Sequence, residues 1–189
     1  NPRWGIETPT IPYLGYGQAA ELSMHGTPVI HPATVYPLIQ EGIPIEIKNF
    51  HNRNSQVSTI IGPDIETDEI IAIGCQPGVA IITGNKPLSS DLLLEIERFG
   101  IIPWLMKSTP EGFKIILPKH DLHHLEKFIP GKIEFKTAII SIIGKPDIGI
   151  EHELISTNEY GTRIIVETDQ LHETIRELYH SLFSRQDCK

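Results

Sequence analysis

The chain is poor in cysteine, in positive charge and in long apolar runs. Its two cysteines, Cys75 and Cys188, lie far apart, one of them at the tail. They make no disulfide framework, and a reducing compartment, the cytoplasm, is the simpler expectation. Lys and Arg number 16 against 24 Asp and Glu, a formal net charge of −8, which argues against nucleic acid, because phosphate binding needs a basic face. No apolar run approaches the ~18–20 residues of a membrane span, so no membrane partner is expected. No signal-peptide pattern opens the chain, which starts at Asn1-Pro2-Arg3-Trp4 without an initiating Met and is expected to be a fragment missing its N-terminal part. A phosphate-cradling loop is absent too: Gly144-Lys145-Pro146 lacks the upstream glycine and the following Ser or Thr. No Ser-His-Asp arrangement can be argued from spacing. His120, His123 and His124 share a helix face, but His-Asp-Leu-His-His lacks the glutamate of a zinc helix, so the expectation is a solvated or partly buried face and no metal.

What remains is ordinary globular composition, 40% hydrophobic over 189 residues, enough for one large or two small cores. The most patterned stretch runs from Gly15 to Asn49. Tyr16, Ala19, Ala20 and Ser23 fall at helical spacing, and Gly26 sits where a left-handed cap would stop the helix. Val29-Ile30 reads as a short extended piece. His31-Pro32 opens a second helix, with Val35, Leu38 and Ile39 at helical spacing and Gly42 ending it. Ile43, Ile45 and Ile47 then alternate with Pro44, Glu46 and Lys48 as a strand does.

This stretch resembles the end of the catalytic domain of aspartate kinases. The residues that carry the resemblance are Gln18-Ala19-Ala20-Glu21-Leu22, Gly26-Thr27-Pro28-Val29-Ile30-His31-Pro32 and Ile43-Pro44-Ile45-Glu46-Ile47-Lys48-Asn49. The resemblance implies a nucleotide-side role for Arg3, in an Asn1-Pro2-Arg3 loop like the family's D-P-R, and for the Val29 backbone. Pro28 departs from the pattern: the family usually has Lys, sometimes Gln, there, and proline has neither the reach nor an N–H. His31 is expected to be structural. Residues 50–58 form a polar loop, Thr59-Ile60-Ile61 resumes an extended piece, and the acidic 62–69 marks the domain boundary.

Downstream, the chain looks like the regulatory ACT domains of the same family. Buried strands are expected around Gly74 and Pro77-Gly78. Ser89-Ser90-Asp91 starts a helix whose apolar face is Leu92, Leu93, Ile96 and Phe99 and which Gly100 stops. Ile101 to Met106 reads as a strand, Thr109 to Gly112 as a turn, Phe113 to Leu117 as a strand and His120 to Phe128 as a helix, a βαββα order. Ile133 to Ile143 is an almost wholly apolar strand. The family's next helix does not fit the short Gly/Pro-rich piece from Gly144 to Ile150. Two strands around Asn158-Glu159-Tyr160-Gly161 follow, then an amphipathic helix carrying Leu171, Ile175, Leu178 and Leu182.

The expected class is therefore α+β: the tail of an αβα amino-acid-kinase domain (residues 1–62), a first ferredoxin-like ACT unit (63–132) and a second one lacking its first helix (133–189). The resemblance implies a part of an enzyme that phosphorylates aspartate with ATP and Mg²⁺, inactive by itself without its N-terminal kinase half, with no cofactor of its own. It also implies self-association through the ACT units and an amino-acid effector, lysine or threonine. The expected effector seat is the loop Asn85 to Asp91, with Ser89 and Ser90 at the helix start, and Trp104 and Ser108 following; Trp104 stands there either as a stacking group or as a core or interface residue. Two other readings stand beside it: an ACT module that dimerises without sensing, and a bifunctional parent chain that carries a second biosynthetic enzyme.

Overall fold

The computed structural model describes residues 8, 10–24, 30–48, 57–65, 67, 69–144 and 153–183. The N-terminal unit is small. Strand β1 (Tyr13–Gly15) leads directly into helix α1 (Tyr16–Met24); α2 (Pro32–Glu41), β2 (Ile45–Lys48) and β3 (Ser58–Gly62) follow. The sheet order is β1-β3-β2, with β1 parallel and β2 antiparallel to β3. The two helices and the strand at Ile45 lie where the apolar spacing predicts. The three-residue β1 is too short to show a period in the sequence. Helix α2 ends in a paired cap: Gly42 N–H donates to the Ile39 carbonyl and Ile43 N–H to the Leu38 carbonyl, with Gly42 at φ +63°.

The rest of the chain builds one six-stranded antiparallel sheet. Its strands are β4 (Ala72–Gly84), β5 (Leu105–Thr109), β6 (Gly112–Pro118), β7 (Lys132–Ile143), β8 (Glu153–Thr157) and β9 (Gly161–Glu167), in the order β5-β6-β4-β7-β9-β8. Helix α3 (Ser90–Arg98) joins β4 to β5, α4 (Leu122–Leu125) joins β6 to β7, and α5 (Leu171–Phe183) ends the chain's described part.

Where separate strands around Pro77-Gly78 are expected, the chain keeps going as the single strand β4. The register slips at Pro77/Val79, where Gly78 takes φ +73° and proline can give no ladder N–H. Thr137 Oγ1 fills the irregularity by donating to the Val79 carbonyl at 3.0 Å. Beyond the slip, Ala80 and Ile82 turn toward Leu92 and Ile96 of α3 and Leu122 and Leu125 of α4. Before it, Cys75 packs with Ala138, Ile140, Ile142 and Ile164 under Leu171, Ile175 and Leu178 of α5.

The strand expected from Ile101 starts only at Leu105. Ile101 is still closing α3, its N–H on the Ile96 carbonyl and Gly100 N–H on Glu97, and Pro103 cannot donate to a ladder. In α3 itself only Leu92 and Ile96 are buried; Leu93 and Phe99 are exposed. The helix expected over His120–Phe128 breaks into α4 flanked by single 3₁₀ turns at Lys119–Asp121 and Glu126–Phe128. His123 Nδ1 bonds the His120 carbonyl, the kind of side-chain bond that competes with regular helix. The piece expected to lack a helix, residues 145–150, lies outside the described residues.

The burial of Cys75 has a chemical consequence. Loss of hydration penalises its thiolate and raises the thiol from 9.0 to about 11. Native protein is expected to resist iodoacetamide at Cys75 at pH 8, read by peptide mass spectrometry. A folded pKa above the unfolded one also means stability is lost as pH rises from about 9 to about 11, because there the native state holds the proton and the unfolded state does not.

Candidate functional site

Two places carry polar groups in organised positions. The first is the turn from β4 into α3. Ser89 is the N-cap, at φ −78° and ψ 148°, and its Oγ accepts from Leu92 N–H at 3.3 Å. Ser108 arrives from β5 and its Oγ accepts from Leu88 N–H at 2.9 Å. Asn85, Ser90 and Asp91 are exposed around this turn, at the positive end of a nine-residue helix whose first-turn amides have no partner inside the helix. The fold thus brings together Asn85, Ser89, Ser90, Asp91 and Ser108.

Trp104 is not among them. Side chains alternate along β4, so Val79 and Ile81 face away from α3, and Trp104 packs on that far face against Val79, Ile81, Ile116, Ile139 and Ile165. Its backbone N–H donates to the Ile116 carbonyl at 2.8 Å. Arg3, Pro28 and Val29, expected on the nucleotide side, lie outside the described residues. His31 stands one residue before α2 and is exposed. Of the three clustered histidines, His124 stacks on Phe99 with ring centroids 4.4 Å apart and lies tilted against His123 at 3.7 Å.

The second place was not expected from the sequence. Glu21 of α1 and Arg163 of β9 form a two-pronged ion pair, Nε to Oε1 and a terminal nitrogen to Oε2 at 2.6 Å. The side chains are only 7% and 14% exposed. Asn158 Nδ2 donates to Glu21 Oε2 at 3.4 Å, and a guanidinium nitrogen of Arg163 reaches Ser156 Oγ at 3.4 Å. Beside the pair, α1 rests on the sheet through a core of Leu14, Tyr16, Ala19, Leu22, Val35 and Ile61 with Ala72 and Ile143. A charged residue among Ala19, Ala20 and Leu22 was the one signal available; its partner, 142 residues on, was not legible.

A small αβ unit keyed to a six-stranded antiparallel sheet that carries α3, α4 and α5 on one face is a defined fold. This is the fold of the C-terminal region of aspartate kinases. The Clostridium acetobutylicum aspartate kinase matches 96% of this chain with TM-score 0.78 at 20% identity, over 51% of its own length. E. coli aspartokinase III in complex with lysine and aspartate matches 92% at TM-score 0.70 and 16% identity, over 46% of its length. Among curated proteins, a bifunctional aspartokinase/homoserine dehydrogenase of Haemophilus influenzae is 42% identical over 62 residues, 33% of this chain and 8% of that protein. The chloroplastic aspartokinase 3 of Arabidopsis thaliana is 22% identical over 95% of this chain and 39% of that protein. The chain therefore spans well under half the length of the curated relatives it matches. No protein-family model matches it.

Proposed function

We propose that this chain is the regulatory, C-terminal part of an aspartate kinase, the enzyme that transfers the γ-phosphoryl group of ATP to the β-carboxylate of aspartate with Mg²⁺. The observation that supports this reading is the likeness in fold to the Clostridium aspartate kinase, which takes in 96% of this chain and 51% of that enzyme. In the whole enzyme, Arg3 and the Val29 backbone would face the nucleotide, with Pro28 in place of the family's lysine, and the N-terminal half would hold most of the phosphate and metal contacts. Phosphoryl transfer needs those parts together. The 189-residue chain is thus expected to release no ADP from ATP and aspartate in a coupled assay, and the longer polypeptide of the same gene to do so. A longer polypeptide with no aspartate-dependent ADP release would overturn the reading.

The sheet is read here as two ACT-type ferredoxin-like units, 63–132 and 133–189, after a kinase tail at 1–62. Strand β5 is an edge with Met106, Lys107 and Ser108 exposed, and an unpaired edge invites another strand. The proposed partner is a second copy. Sedimentation at tens of micromolar protein is expected to give a dimer, and a monomer alone would count against it.

The effector seat proposed is the turn Asn85 to Asp91 with Ser108, for an amino acid such as lysine or threonine. Helix-start amides suit its carboxylate. For its ammonium the nearest acid in sequence is Asp91, and Trp104 lies on the other face. Loss of a charge-assisted hydrogen bond costs about 1.5–3 kcal/mol, roughly ten- to a hundredfold in affinity. Calorimetry is therefore expected to show weak lysine binding or none. A low-micromolar dissociation constant abolished by Trp104→Ala would refute this placement of the seat.

A further inference from the structure

The tie between Glu21 and Arg163 has a property that apolar packing lacks. Hydrophobic contact between α1 and the sheet holds the helix down but lets it slide or roll, because it is non-directional. A buried fork-to-carboxylate pair fixes both rotation and translation. Such a pair is also a poor choice for stability alone, since well-packed apolar residues of similar volume often do as well or better.

The surroundings of the pair belong to one hairpin. Asn158, which touches Glu21, also folds the β8–β9 turn: its Oδ1 accepts from Tyr160 N–H at 2.9 Å and Gly161 N–H at 3.0 Å. Tyr160 lays its ring on Gly17 of α1 so closely that a Cβ there would overlap it. Gly17 N–H in turn donates to Asp64 Oδ1 at 2.9 Å, in the connector that leaves β3 for the sheet. Ser141, beside Arg163 in the β7–β9 ladder, keeps a fully buried hydroxyl without a hydrogen-bond partner among the described residues. The turn conformation, the ion pair and the seat of α1 are thus set by the same few side chains.

We infer that the β8–β9 hairpin, acting through Arg163 and Asn158 on Glu21, is the contact by which the regulatory sheet sets the position of α1, so that a displacement of the hairpin moves the tail with it. Arg163 is then a positioning residue: it acts on the tail through Glu21. The regulatory meaning of this contact rests on the aspartate kinase reading above; the mechanical coupling does not.

The test is hydrogen exchange by mass spectrometry on the 189-residue chain, comparing residues 16–24 with residues 138–143. In the wild type the two segments are expected to exchange at the same slow rate, opening together. In Arg163→Met, which takes the guanidinium away from the buried Glu21 carboxylate, exchange in 16–24 is expected to rise about a hundredfold while 138–143 stays slow. Asn158→Ala is expected to move 16–24 in the same direction by a smaller factor, which a merely local turn defect would not do. Wild-type α1 that already opens ahead of the sheet, or Arg163→Met with α1 as protected as the wild type, would overturn the inference. If Arg163→Met does not fold, Arg163→Lys keeps the charge and drops the fork: independent opening of 16–24 supports the coupling, and joint slow opening refutes it. No nucleotide or amino acid enters the experiment, so its outcome is separate from that of the ADP-release assay.

Discussion

Gly144→Val is expected to be the most damaging single change outside the apolar core. Gly144 sits at the end of β7 at φ +116°, a conformation that costs a non-glycine residue about 1–3 kcal/mol. A Cβ there would also overlap the carbonyl oxygen of Glu69 and come within 2.9 Å of Ile70 Cα, both of them backbone that cannot swing aside. Its N–H donates to the Tyr160 carbonyl at 2.9 Å, so a shift of Gly144 would also pull on the β8–β9 turn. Strain and overlap together are expected to cost about 3–5 kcal/mol, a large share of a typical domain's 5–15. Gly42→Ala is the control: φ is +63°, nothing lies within 4 Å of the added Cβ, and only the left-handed penalty of about 1–2 kcal/mol applies. Urea denaturation followed by circular dichroism separates the two, and equal costs would show that the Glu69 contact is not limiting.

Ile140→Ala is expected to cost about 3–4 kcal/mol, within the 2–5 typical of fully buried Ile or Leu truncations. Ile140 is wholly buried in a central strand, opposite Cys75 and between Ala138 and Ile142, under the apolar face of α5. Strands on both sides and a helix above leave little freedom to collapse onto the cavity, so the loss should lie above the middle of that range. Tyr36→Ala, on a residue 65% exposed, is expected to stay within about 0.5 kcal/mol of the wild type. The measurement is the shift in urea midpoint at unchanged slope; a change below about 1 kcal/mol at Ile140 would mean that the seam beneath α5 repacks freely.

The features legible in the sequence are those set by nearby residues. Ser89 announces the start of α3 and Gly100 its end; Gly42 ends α2; Asn158 and Gly161 mark the last hairpin. Each is a local rule satisfied within a few residues. The misreadings have equally definite causes. Pro77-Gly78 looks like punctuation, but the ladder to β7 runs past it on one side and carries β4 through as a register slip. Ile101-Ile102 has β propensity, yet its first amide is claimed by the helix before it, and Ile102 is 71% exposed. Leu122 and Leu125 are the buried residues of a segment bounded by Pro118 and Pro130, and a single α-helical turn forms there. In the candidate site, the helix-start serines were readable because capping is local. The remoteness of Trp104 from them, and the partner of Glu21, depend on sheet order and on which face a side chain takes, and neither is encoded nearby.

The slip at Pro77–Val79 also has a consequence for how the sheet divides. Strand β4 runs beside β7 from Ala72 to Thr83 while offering its other edge to β6 from Val79 to Gly84. On one side of the slip its inward residues belong to the layer beneath α5; on the other they belong to the layer beneath α3 and α4. One strand is therefore the spine of both halves, and β7 mirrors it, with Ile140 packed in the layer beneath α5 and Ile133 in the layer beneath α3 and α4. No peptide bond exists at which the chain between β4 and β7 can be cut to leave both halves whole: a gene fragment ending near residue 132 would carry β4 with a bare flank along its whole length. The two units proposed above are therefore expected to fold together rather than apart, as two arches that share a pier stand together.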